Sequence, residues 1–195
     1  MNINPIVIFF ASIFTSNIVL TNFLGMCSYL AISKDLKSSW GLGQAVIFVM
    51  TITTILNFLV YKYLLVPAGL EYLRYIVFII VVAAFVQLLE MILERFMPGL
   101  YYTLGIFLPL ITVNCAILGV ALFMVIREYT FLQSLAYGAG GGIGWALAIV
   151  ALAGIREKVD ETKIPRGLQG PGFALIVTGI MAMAFIGLSG IANIQ

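Results

Sequence analysis

Long apolar runs separated by short polar breaks recur six times along the chain, at roughly residues 4–32, 41–61, 72–93, 98–126, 131–154 and 172–192. Each holds about the 20 apolar residues that a helix needs to cross a hydrocarbon core of ~30 Å. The breaks fall at 33–39, 62–74, 94–95, 127–128 and 156–169. Alternation of polar and apolar positions is nowhere sustained, so the strands of a barrel are not expected. The pattern predicts an all-α integral membrane protein with six transmembrane helices in one membrane domain, 1–195.

Runs one and four differ from the others. Each is close to 30 residues and each is interrupted: Thr21, Asn22 and Gly25 in the first, Pro109, Thr112 and Asn114 in the fourth. Proline at 109 removes a helical hydrogen bond, so the fourth helix is expected to break there. Asn114 suits the N-cap of a new half-helix beginning at Cys115. Each interruption opens a group of three spans, and an odd number of spans makes the second group enter from the opposite side. The expectation is two inverted three-helix repeats, about 1–97 and 98–195, with broken helices in spans one and four.

Charge then orients the chain. Lys34, Lys37, Arg95, Arg156, Lys158, Lys163 and Arg166 fall on one side and Lys62, Arg74 and Arg127 on the other. The richer side belongs in the cytoplasm, which puts both termini outside a prokaryotic plasma membrane. Only 9% of the 195 residues are charged and 63% are hydrophobic, which excludes a soluble domain. The net charge of +2 gives no nucleic-acid surface. The first run lacks the basic start and small-residue cleavage site of a signal peptide, and is expected to be a span.

The candidate chemistry lies in the interruptions. The chain has two cysteines, Cys27 and Cys115, and no histidine. Cys27 stands seven residues before Lys34, about 10 Å of helix, and Cys115 twelve before Arg127, about 18 Å. The two thiols therefore approach similar depth from opposite faces. Two thiolates are half of what a four-thiolate iron–sulfur cluster requires, so either a partner supplies the rest or the cysteines are small apolar fillers. Gly25 would allow close backbone approach, and half-helix N-termini would offset negative charge. Gln87, Glu90 and Glu94 share a helical face. Glu90 and, in span two, Asn57 are ion-path candidates, against interfacial hydration for Glu90 and helix bridging for Asn57. The 138–144 glycine run lacks a P-loop ending and suits close helix packing. Trp40, Tyr61, Tyr63, Tyr72, Tyr75, Tyr101 and Tyr102 gather near span ends as interface anchors. No nucleophile–base pair is apparent.

Three stretches carry a resemblance: Phe23-Leu24-Gly25-Met26-Cys27, residues 104–115 (Leu-Gly-Ile-Phe-Leu-Pro-Leu-Ile-Thr-Val-Asn-Cys), and Ala153-Gly154-Ile155-Arg156-Glu157-Lys158. They resemble the RnfA/RnfE and NqrD/NqrE family of membrane subunits, and the RnfA branch most. The resemblance implies a subunit of a ferredoxin:NAD oxidoreductase of Rnf type that drives sodium or proton export. It implies a homologous six-span partner of opposite topology, RnfE-like, and neighbouring subunits carrying flavins and iron–sulfur clusters. It implies one [2Fe–2S] cluster shared with that partner and relaying electrons, with Cys27 and Cys115 as metal ligands and Gly25, Thr112 and Asn114 around them. The alternatives are an NqrE-like subunit of the sodium-pumping NADH:quinone reductase, a small secondary transporter, or a structural anchor.

Overall fold

In the computed structural model of the chain, residues 4–96, 108–159 and 169–189 are described, and their regular structure is helical throughout. Helix α1 (Pro5–Ile13) opens with the Asn4 side chain accepting the Ile6 N–H and Pro5 at the first position, where no N–H is needed. A run of turns leads to α2 (Met26–Ile32). Helix α3 (Leu36–Val60) continues through a π turn (Tyr61–Leu65) and one more turn (Val66–Ala68), closed by Gly69 at φ +66°. Then come α4 (Arg74–Phe96), the short α5 (Leu108–Thr112), α6 (Cys115–Ile126), α7 (Phe131–Lys158) and α8 (Pro171–Ser189).

Helix α7 is the centre of the bundle, with α3 packed antiparallel along it and α1 crossing its glycine-rich stretch. The glycines set how near the neighbours come. A Cβ on Gly142 would sit 2.9 Å from Ile47 Cα of α3, and one on Gly140 would land on Ser12 Oγ of α1. Close packing through small residues is how helices associate where lipid is as apolar as their side chains. The glycine run is thus a two-sided packing face. Trp145, fully buried, follows it and fills the space beneath the first helix break.

Four stretches among the described residues are long and apolar enough to cross a membrane: Leu36–Ala68, Glu71–Arg95, Pro109–Ile126 and Phe131–Lys158. The apolar part of the last helix, Pro171–Gly187, is shorter, and the first run is divided between α1 and α2. The expected interruption of runs one and four is present. Its detail differs. Pro109 lies inside α5 rather than at a break, in a helical first turn where a missing N–H costs nothing, and the break follows at Val113–Asn114. The expected break at 33–39 is also shorter, because Asp35 accepts the Ser38 N–H at 3.1 Å and starts α3 at Leu36. Likewise helix persists past Lys62 to Ala68. Arg156, expected in a loop, is buried in α7 and donates to Ser33 Oγ at 3.0 Å. Residues 98–107, with Tyr101 and Tyr102, Lys163, Arg166, and the end of the sixth run at 190–192 lie outside the described residues.

Candidate functional site at the two helix breaks

The first break, 14–25, is non-helical chain held by one asparagine. Asn17 is fully buried; its Nδ2 donates to Gly144 O at 2.8 Å and Ile13 O at 3.1 Å, and its Oδ1 accepts the Val19 N–H at 3.1 Å. A buried amide so fully bonded replaces backbone hydrogen bonds that the helix lost. The chain then turns through Phe23 at φ +54° and Gly25 at φ +83° into α2. Only glycine adopts such an angle without steric cost. Glycine is needed at 25 for space as well: a Cβ there would lie 2.6 Å from Trp145 Nε1 and 3.1 Å from Asn114 Oδ1.

The second break is tighter. Helix α5 ends at Thr112, and Asn114 at φ −71°, ψ 111° caps α6, its Oδ1 accepting the Ala116 N–H at 3.0 Å. Cys115 is therefore the first residue of α6, as the sequence suggests. The two breaks meet: the Gly25 N–H donates to Cys115 Sγ at 2.9 Å. Two buried donors flank this contact, Asn114 Nδ2 and Trp145 Nε1, and neither has a hydrogen-bond partner among the described residues. An unpaired buried donor costs about 1–3 kcal/mol. Beside the junction a cavity of about 350 Å³ is lined by Ile79, Val82 and Ala83 of α4 and by Thr112, Asn114 and Cys115.

Of the sequence candidates, Gly25, Thr112, Asn114 and Cys115 thus come together. Cys27 lies two residues beyond Gly25 and is exposed, as are Phe23 and Val113 at 54% and 73%. Asn57 is fully buried in α3, and neither end of its amide has a partner among the described residues. Glu90 is half-buried on α4 and Glu94 exposed. Asn57 and Glu90 stand at different depths. Tyr61, one turn beyond Asn57, meets Phe78 with ring centroids 6.3 Å apart. Helix α4 runs back along α3, and Glu90 lies twelve residues from Phe78, roughly 18 Å of helix, which puts it about 12 Å past the level of Asn57. Asn17 and Trp145 were not singled out in the sequence. The Ser16-Asn17 pair inside an apolar run is the signal that marks the first of them.

A bundle of apolar helices broken twice, with the breaks joined at its centre, defines a polytopic membrane protein, and residues 6–192 match the family described as Rnf-Nqr subunit, membrane protein. The chain belongs to that family. Among similar proteins are those named as the E subunit of Na(+)-translocating NADH-quinone reductase from Psychromonas ingrahamii and Maridesulfovibrio salexigens, each 53% identical, and from Nitrosomonas europaea, 54% identical. Each comparison covers 94% of this chain and 96% of the relative.

These findings correct the expected cofactor. Among the described residues no three of His, Cys, Asp and Glu gather where they would hold a metal ion. The cluster expected here was a four-thiolate [2Fe–2S] centre shared with a partner, with Cys27 and Cys115 as this chain's two ligands. The relatives are named for the NADH-quinone reductase rather than for the Rnf-type complex in which the cluster was expected. The cluster is not carried forward as a cofactor of this chain. The RnfA assignment likewise gives way to the NqrE-like alternative.

Proposed function

We propose that the chain is an NqrE-like membrane subunit of a redox-driven sodium pump, a Na(+)-translocating NADH-quinone reductase. The observation that carries this reading is likeness at 53–54% over nearly the whole length to relatives bearing that name. The redox reaction belongs to the complex, and this chain serves as one of its membrane components in a prokaryotic plasma membrane. Ferredoxin is not its electron source in this reading.

The finer architecture we propose is six passes in two inverted repeats, 1–97 and 98–195, with both termini outside. In support, the described residues of each half follow one plan of short helix, break, second short helix and two further helices: α1, α2, α3, α4, then α5, α6, α7, α8. Each break sits immediately ahead of a cysteine-bearing helix start. We propose further that a homologous six-span subunit of opposite topology covers the broken face. Non-helical backbone at membrane depth is tolerated only where protein or a water-filled cavity surrounds it. Asn22, Phe23, Cys27 and Val113 are exposed at the breaks and would meet that partner. Asn57 and Glu90 are proposed as separate stations on the ion path rather than one site. The test is restoration of NADH-driven sodium uptake in membrane vesicles from a strain deleted for its own NqrE protein. The proposal expects uptake to return with this chain. Assembly of the complex without uptake, or uptake driven by reduced ferredoxin instead of NADH, would overturn it.

A further inference from the structure

Away from the helix breaks, a cavity of about 760 Å³ opens where α3 passes into its π turn, α4 begins, α6 ends and α7 starts. None of Gly25, Asn114, Cys115 or Trp145 lines it. Its apolar lining includes Phe58, Met124, Val125 and Phe131, and its charged residues are Lys62, Arg74, Glu71 and Glu128. Two cations and two carboxylates share one cavity, yet no ion pair joins them among the described residues. Lys62 Nζ lies instead 5.8 Å from the Phe58 ring centroid, and Arg74 Cζ 5.3 Å from that of Tyr75. Tyr63 and Tyr72, each 73% exposed, stand on the same end of the bundle. Exposed tyrosines beside span ends mark the level of lipid headgroups.

We propose that this cavity binds a phospholipid with a zwitterionic amine headgroup, of phosphatidylethanolamine type. The phosphate lies between Lys62 and Arg74, the primary ammonium faces Glu71 and Glu128, and an acyl chain follows Phe58, Met124 and Phe131 inward. Charge complementarity selects this occupant. A glycerol headgroup answers the cations and leaves both carboxylates without a cationic partner. A choline headgroup carries positive charge but no N–H to give them. The arrangement is independent of the pump assignment.

The test is native mass spectrometry of the purified full chain in detergent, exchanged against equal amounts of phosphatidylethanolamine, phosphatidylglycerol and phosphatidylcholine with identical acyl chains. The unmodified protein is expected to retain phosphatidylethanolamine over each of the others by about fivefold or more, the scale of one to two interfacial charge contacts. Lys62→Gln with Arg74→Gln should lower retention of all three lipids together, since each carries the phosphate. Glu71→Gln with Glu128→Gln should raise phosphatidylglycerol retention to that of phosphatidylethanolamine, a gain that misfolding does not produce. Equal retention of the three lipids by the unmodified chain overturns the proposal without recourse to any variant. A preference that survives the carboxylate substitutions overturns it too.

Discussion

The backbone N–H of Gly25 donates to Cys115 Sγ at 2.9 Å, joining two helix breaks that stand 90 residues apart in the chain. Three buried side chains are arranged around that contact. Asn17 organises the approach to it, Asn114 caps the helix that presents the thiol, and Trp145 closes it from α7.

Gly25→Ala should therefore be costly. The substitution meets both the left-handed backbone and the Trp145 indole, at about 1–2 kcal/mol for the first and 1–3 kcal/mol for the second. Gly41→Ala is the control, since nothing lies within 4 Å of a Cβ there. Thermal unfolding of the two variants in detergent should show a clear fall in Tm for Gly25→Ala and none for Gly41→Ala.

Cys115 tests the contact from its other side. Alanine removes the acceptor and strands the Gly25 N–H, at about 1–3 kcal/mol, whereas serine keeps an acceptor in place. The expected order of Tm is unmodified protein, then Cys115→Ser, then Cys115→Ala. Equal values for the serine and alanine variants would show that the N–H finds another partner.

Asn57 gives a sharper contrast between fold and function. Its amide is fully buried with both ends unpartnered among the described residues, so Asn57→Leu should leave stability unchanged or raise it. NADH-driven sodium uptake should nevertheless fall if Asn57 stands on the ion path. Full uptake in this variant would reduce Asn57 to a packing residue.

The start of α3 supplies a pH dependence. Hydrogen bonds from the Ser38 hydroxyl and then the Ser38 N–H hold the Asp35 carboxyl below its ordinary range. Because the folded-state value is the lower one, the stabilisation is complete above the unfolded-state value near 4 and is lost as pH falls below it, through the folded-state value. Asp35→Asn keeps a capping oxygen and should flatten the dependence of Tm on pH in that window.

Much of this was legible in the sequence because membrane helices are written in long apolar runs. The interruptions in runs one and four and the N-cap role of Asn114 followed from local chemistry alone. Element ends were less legible. Lys62 and Lys37 look like loop residues, but long cationic side chains sit comfortably on a helix at its end. Arg156 misled for the opposite reason: its buried side chain donates to Ser33, 123 residues away, a contact that no local pattern reveals. Pro109 was given a break because proline disrupts helix interiors, whereas here it occupies a first turn. The cofactor reading started from the two thiols and took its cluster from family likeness, and the relatives' names correct it together with the RnfA assignment.

The central claim is that the joined breaks face a partner protein in the membrane, and Cys27 reports on it directly. Labelling of Cys27 by N-ethylmaleimide in detergent, with Cys115→Ser in the background, should be compared for the chain alone and for the assembled complex. The account predicts ready labelling of the isolated chain, where Cys27 is exposed, and protection within the complex. Equal labelling in both states would contradict it.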